Sequence, residues 1–244
     1  MLALIDGDIL VYRIGFTTED VDEGIMKARV RETFNLILEA VQATEFKIYL
    51  TEEGDPKAFR RRIYPEYKAN RIQPKPKHYR AIRQHLQEVY DAEVCHEIEA
   101  DDALGITQSE YNDRSHHNNP DPNYETSVIC SIDKDLKQIP GKHYNFVKQA
   151  DAFVTEIEGL RYFYTQLLTG DSSDNIKGLY KVGPVKAATI LEGAETEQEM
   201  FDKVREAYNN DDELLMNGRV LWIWKQPNDD WQRHYELLTS GYHS

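Results

Sequence analysis

"LALID" (residues 2–6) and "TSVICSID" (residues 126–133) are two short apolar runs, and each ends in an aspartate. A continuous apolar run of this length, closed by a polar residue, reads as a strand buried on both faces. Outward from these two runs the pattern alternates. Residues 22–43 carry Val30, Phe34, Ile37, Leu38 and Val41 at helical spacing. "FKIYLT" (46–51) is strand-like, residues 80–91 read as a helix, and "AEVCHE" (92–97) reads as a short strand. Glu99 to about Tyr111 and residues 158–169 are expected to be helical, with "HYNFV" (143–147) as a further strand. "NDRSHHNNPDPNYE" (112–125), polar with two prolines, is expected to be an exposed loop. Strands alternating with helices predict an α/β fold, a mostly parallel central sheet flanked by helices. After residue 170 the pattern changes to glycine turns, an apolar helix from about Val185, and polar helices whose Trp222, Trp224 and Trp231 are assigned to packing.

Bulk numbers set limits. The chain has 244 residues, enough for one large domain or a domain with a subdomain, and its 40% hydrophobic content excludes a disordered chain. No apolar run approaches the roughly 20 residues that span a bilayer, so no membrane association is expected. "MLALIDGDIL" lacks a basic leader and is interrupted by Asp6, so it does not read as a signal peptide. Cys95 and Cys130 lie in apolar runs and read as reduced core residues of a cytoplasmic protein. The net charge of −14 argues against an extended coat on nucleic acid. It permits a local basic face, and it suits a site that concentrates divalent cations.

"HEIEADDALG" (96–105) puts Glu99, Asp101 and Asp102 within four positions. Acidic residues at a helix start are usually explained by the helix dipole. The sheet argues for more. In open α/β sheets ligands bind beyond the carboxyl ends of the strands, so Asp6 and Asp133 arrive at one edge, and "EIEADDALG" follows another strand to the same edge. Asp135, Asp171 and Asp174 extend the set to eight carboxylates, with no His or Cys at ligand spacing. Oxygen-only donors suit Mg²⁺ or Mn²⁺. Eight exceed the needs of one ion and fit two ions about 3.5–4 Å apart, which clamp the attacking and leaving oxygens of a phosphodiester.

A basic set at 57–83 includes Lys57, Arg60, Arg61, Arg62, Lys68, Arg71, Lys75, Lys77, Arg80 and Arg83, with Tyr64, Tyr67 and Tyr79 interleaved. It stands out in an acidic chain and reads as a phosphate-contacting segment with aromatic platforms for unpaired bases. "IKGLYKVGPVKAATIL" (176–191) reads as a helix–hairpin–helix that grips duplex backbone, with Gly178 and Gly183 in the turn and Lys181 and Lys186 favouring DNA.

Taken together, "LIDGD", "YKANR", "EADD", "SIDKDLKQI" and "TGDSSDNIKGLYKVGPVKAA" resemble, in order and spacing, the flap endonuclease family of 5′ nucleases. That family includes the 5′ nuclease domain of bacterial DNA polymerase I and phage-encoded 5′→3′ exonucleases; the chain is most similar to a free-standing phage enzyme. The resemblance covers roughly residues 1–193 and implies a PIN-like core over 1–169, with a basic arch at about 57–91, and a helical DNA-binding region over 170–244. It implies a first metal on Asp6, Glu99, Asp101 and Asp133, and a second on Asp135, Asp171 and Asp174, with Asp102 supporting either. One further acidic ligand after the second strand falls on Glu53 by counting back from "YKANR", while Glu52 ends the strand more directly; both stand as candidates. Lys68 and Arg71 are expected to contact the scissile phosphate, and Tyr67 to stack on a base. A potassium ion is expected at the turn holding Val182 and Gly183.

The implied activity is 5′→3′ exonuclease or flap endonuclease hydrolysis of DNA with 5′ ends, nicks or 5′ flaps, by a monomer. RNA–DNA primers remain open as substrates. The 31 positions from Lys68 to Glu99 are few for an arch that clamps single strands. Two rivals are a PIN-like ribonuclease, which lacks the "GDSSDN…KVGPVKA" block, and a non-catalytic branched-DNA binding protein, which should have lost carboxylates.

Overall fold

The computed structural model describes residues 1–55, 57–116 and 126–241, with the backbone alone at 113–116. In chain order the elements are β1 (Leu2–Asp6), α1 (Gly7–Thr17), α2 (Glu23–Ala40), β2 (Glu45–Thr51), α3 (Phe59–Ile63), α4 (Tyr79–Tyr90), β3 (Glu93–Cys95), α5 (Ala100–His116) and β4 (Ser127–Cys130). A 3₁₀ turn (Asp135–Gln138) leads to β5 (Gly141–Asn145), β6 (Ala150–Val154), α6 (Glu156–Thr169), β7 (Gly170–Asp171) and β8 (Ile176–Lys177). The chain continues through α7 (Pro184–Ile190), α8 (Glu197–Tyr208), α9 (Asp211–Leu221) and α10 (Trp231–Ser240).

The main sheet has the order β3-β2-β1-β4-β5-β6, parallel except for the antiparallel edge pair β5–β6. Sequence alternation on β1 sorts its two faces. Ala3 and Ile5 pack with Leu10, Val30, Phe34 and Leu86 of α1, α2 and α4. Leu2 and Leu4 pack with Leu104 of α5 and with Ile223. Both faces are covered, which is why the strand is apolar throughout. From β1 the chain steps outward to β2 and β3, then returns to the other side of β1 as β4. The crevice at such a reversal is where open α/β sheets bind ligands, and Asp6 stands there. No loop separates β1 from α1. Gly7 makes this possible, because a Cβ there would lie 2.5 Å from the Tyr49 carbonyl oxygen.

A third cluster joins α6, α7, α8, α9 and α10 around Phe163, Phe201, Trp222 and Trp231. All three tryptophans are buried, as expected. The expected boundary at 169/170 falls inside this cluster, since α6 before it packs with the helices after it. Phe59 and Tyr67, from the segment expected to be an arch, belong to the same cluster.

Three local expectations need correction. Helix α5 runs on to His116, so the expected loop begins later, and its residues 117–125 lie outside the described residues. The segment before the "GLYKVG" turn is not a helix end. It is the β7–β8 ribbon, which stands between α6 and α7. Gly178 belongs to this ribbon's packing, because a Cβ there would lie 2.2 Å from the Gly170 nitrogen. Among the described residues no helix is long and apolar enough to cross a membrane.

Candidate active site

The alternation that buries Leu2 and Leu4 under α5 sends Asp6 toward the same face. Asp6 is 2% exposed and receives only neutral donors among the described residues: the Ile9 amide at 3.0 Å and the Ser131 hydroxyl at 2.7 Å. The Ser131 oxygen in turn accepts the Asp133 amide at 2.9 Å, so one hydroxyl joins the two strand ends. Burial, with Asp8 and Asp133 adding like charge, pushes Asp6 up to about 7. Asp101, in the first turn of α5, is raised well above the usual carboxylate range by burial and by Asp6 and Asp133. These three carboxylates therefore form a repelling group with no cation of the chain set between them by any hydrogen bond or ion pair among the described residues.

Glu99 is the opposite case. Burial alone would raise it, but Lys68 and Arg60 outweigh burial and hold it at about 2. Lys68 Nζ lies 2.5 Å from it, the Tyr67 hydroxyl donates at 2.6 Å, and Arg60 Nη1 lies 3.3 Å away. Lys68 has a left-handed backbone, φ 57°. A β-carbon makes that conformation unfavourable, so the surroundings must enforce it. The enforcing contacts stitch residues 66–71 to 172–175. Lys68 N donates to the Asp174 carbonyl at 2.9 Å, Asn70 to the Ser172 carbonyl at 2.7 Å, and Asn175 to the Glu66 carbonyl at 2.9 Å. Arg71 completes the join on the Ser173 carbonyl and the Asp174 carboxylate. Two motif blocks a hundred positions apart are thus one structural unit.

The second acidic group is Asp135, Asp171 and Asp174. Asp171 is 2% exposed. Its burial is outweighed by Lys134 at 2.7 Å and by the Ser173 amide and hydroxyl, so it titrates low. Asp135 is pushed up to about 7 by burial and by Asp133 and Asp171, while Gln166 donates to it at 2.8 Å. Asp174 accepts the Tyr67 hydroxyl at 3.0 Å and lies 3.8 Å from Lys68. Among the described residues no three His, Cys, Asp or Glu side chains are closed into ligand geometry. Lys68 and Lys134 stand among the carboxylates instead. The donor set is carboxylate-only, buried at Asp6, Asp171 and Asp174 and half-buried elsewhere, and underneutralised, which fits hard divalent cations.

Several expected site residues sit elsewhere. Asp102 is fully buried and both of its oxygens are taken. Arg60 grips them at 2.6 and 2.7 Å, and the Trp224 and Glu99 amides donate to them at 3.1 Å. These four donors make Asp102 the anchor of buried Arg60 and set it apart from Asp6 and Asp101. Arg60 itself is buried on Asp102 and on the carbonyls of Val220 and Trp222, so it is no phosphate contact. Tyr67 is 4% exposed with its hydroxyl held by Glu99 and Asp174, which leaves no ring face for a base. Glu53 pairs with Lys75 on the surface, and Glu52 lies 2.8 Å from His96. Neither reaches the acidic groups. Lys181 and Tyr180 are exposed in the turn before α7, and around Gly183 a Cβ would meet nothing within 4 Å. Sequence reasoning passed over Asp8, which accepts from Arg83 at 3.0 Å and from the Thr51 amide at 3.1 Å beside Asp6. Its place in "LIDGD", one helical step past a strand end, was the available signal.

The family model of the 5′–3′ exonuclease N-terminal resolvase-like domain matches residues 1–165. The chain belongs to the 5′–3′ exonuclease family. It is therefore an enzyme, a hydrolytic 5′ nuclease. Among its relatives are a 5′–3′ exonuclease of Buchnera aphidicola, 25% identical over 86% of this chain and 73% of its own, and the flap endonuclease Xni of Shewanella putrefaciens, 26% identical over 89% and 84%. The fold is shared with the bacteriophage T5 flap endonuclease in a pseudo-enzyme-product complex with DNA and metal ions. That match has a TM-score of 0.67 at 15% identity and covers 98% of each chain. A T5 5′-exonuclease bound to zinc matches with a TM-score of 0.69 at 14% identity, covering 98% and 93%.

Proposed function

We propose that this 5′ nuclease acts on DNA at 5′ ends, nicks or flaps, using two divalent cations, Mg²⁺ or Mn²⁺, at the carboxyl edge of the sheet. The observation that carries this reading is the underneutralised pair of acidic groups on either side of Lys68. Asp6, Asp101, Asp133 and Glu99 would hold one ion, and Asp135, Asp171 and Asp174 the other. Bound there, such ions supply a nucleophile at neutral pH and charge stabilisation on the phosphoryl oxygens. The chain's own residues do the rest. Lys68, held on Glu99 and Asp174, is poised to exchange a carboxylate for the scissile phosphate and to stabilise charge that develops there. Arg71, half-exposed beside it, is suited to the next phosphate. Lys181, Lys186 and the open backbone at Gly183 are suited to duplex backbone, with a potassium ion at the Val182–Gly183 turn. The DNA and metal ions of the T5 complex support this reading. We also propose a cytoplasmic monomer, in keeping with two buried free cysteines.

The test is product analysis on two 5′-labelled DNA substrates, a nicked duplex and a 5′ flap, each with Mg²⁺ and with chelator. Metal-dependent release of 5′-phosphorylated products is expected. Mononucleotides from the nick would indicate exonuclease action, and intact flaps cut at the junction would indicate that the 68–99 segment admits a strand. Retained binding without cleavage of either would overturn the proposal in favour of a binding protein. An RNA version of the flap run alongside, if it alone were cleaved, would favour the ribonuclease reading.

A further inference from the structure

Lys134 lies between the two aspartates of the "DKD" stretch in sequence, but its side chain reaches across to the β7–β8 ribbon. Its Nζ is 2.7 Å from Asp171 Oδ2 and 3.6 Å from Asp135 Oδ1. On Asp171 the other oxygen, Oδ1, is occupied by the Ser173 amide and hydroxyl at 2.7 and 2.5 Å. Asp135 Oδ1 also takes the Gln166 amide at 2.8 Å. The lysine thus spends its charge on the one Asp171 oxygen free of internal donors, and it bridges two carboxylates as a small cation would. Its side chain is 58% exposed. The four-carbon stem is flexible and the ammonium is readily hydrated, so it can swing out to water at little cost.

We propose that Lys134 is an internal counter-ion that occupies the second cation position when no metal is bound and is displaced as the metal enters. This inference rests on the reading that Asp135, Asp171 and Asp174 hold a second ion. Its consequence is thermodynamic. A ligand that must break a protein contact binds more weakly by the free energy of that contact, so Lys134 sets the metal concentration at which the second position fills. It also keeps Asp171 paired when metal is scarce, and a buried carboxylate left unpaired is costly.

The experiment is a calorimetric titration of the full chain, stripped by chelator and free of DNA, with Mn²⁺ alone. Wild type is compared with Lys134→Met and Lys137→Met. Lys137 removes the same charge from the same segment, but its ammonium lies over the Tyr162 ring at 5.9 Å. The expected result is two ions per chain, with the weaker one tightened about three- to tenfold by Lys134→Met and less than twofold by Lys137→Met. Thermal unfolding in chelator should show Lys134→Met below wild type, and saturating Mn²⁺ should close that gap. Equal tightening in both variants would overturn the proposal, because a general field effect would then suffice. Unchanged metal affinity in Lys134→Met, with two ions still bound, would overturn the internal counter-ion alone. One ion in every protein would overturn the two-ion reading and the counter-ion with it.

Discussion

At the scale of single residues, neighbours in "EADD" have opposite jobs, and two variants separate them. Asp102 neutralises buried Arg60 and binds two amides. Asp102→Ala should cost about 3–5 kcal/mol of stability, since it leaves a buried guanidinium unpaired. Urea unfolding monitored by tryptophan fluorescence would measure it, and a loss below 1 kcal/mol would return Asp102 to the candidate ligands. Lys68→Ala should behave in reverse. Its ammonium is aimed at Glu99 and Asp174 from an enforced left-handed backbone. Turnover in single-turnover assays should fall by about 10²–10³, as when one oriented donor to transition-state charge is lost. DNA affinity should change far less; an affinity loss as large as the rate loss would make Lys68 a tether. The acidic residues were legible because strand ends and "EADD" spacing are local. Tyr67 and Arg60 were misread because composition marks Tyr and Arg as surface contacts; the packing of α3 on α9 buries Arg60, and the contacts with Glu99 and Asp174 hold Tyr67 inside.

At the scale of elements, the β7–β8 ribbon carries Asp171 and leads into α7, and the two glycines between the ribbon and α7 divide cleanly. Gly178→Ala drives a Cβ into the Gly170 backbone at 2.2 Å. Overpacking of this kind costs about 1–3 kcal/mol, a few degrees to about ten in melting temperature for a chain of this size. Gly183→Ala meets open space, so its melting temperature should stay within about a degree while duplex binding weakens. Calorimetry and a binding titration on both variants test the division, and equal destabilisation would refute it. A two-residue strand has no periodicity, which is why the sequence read as turn and helix what folds as a ribbon. Longer elements show the converse. Helix α2 was legible because Val30, Phe34 and Ile37 repeat at its period and all are buried.

The segment joining α9 to α10 offers a pH prediction on the same scale. Asp229 accepts from the Trp222 indole, the Lys225 amide and His234 at 2.9–3.0 Å. Burial would raise its pKa, but these partners hold it at about 2, below the ordinary 3.8. A depressed carboxylate contributes stability above its unfolded pKa and loses it as pH falls through the folded one. About 2 kcal/mol should therefore disappear between pH 4 and pH 2. Asp229→Asn should flatten the stability profile in that window; an unaltered acid slope would mean the pairing contributes nothing to folding.

At the scale of the whole molecule, the charge and the proposed ligand pull in opposite directions. A chain of net charge −14 repels DNA at long range, and the sheet edge proposed to receive the phosphate gathers Asp6, Asp101 and Asp133. Binding has to come from a local basic face. That face is smaller than the sequence suggested, since Arg60 is buried, Arg83 pairs with Asp8, and Lys75 pairs with Glu53. The cations left for duplex backbone include Lys181 and Lys186, both exposed around the start of α7. If each holds one phosphate, the double variant Lys181→Ala with Lys186→Ala should reduce the slope of log affinity against log salt by about 1.8. Fluorescence anisotropy on a nicked duplex with Ca²⁺, across a salt series, would read that slope directly. The same variant should still cleave at saturating DNA, because neither lysine contacts the carboxylates. A slope that does not move would shift duplex recognition to other exposed cations such as Lys57, Arg61 and Arg62, and would remove the turn before α7 from the DNA interface.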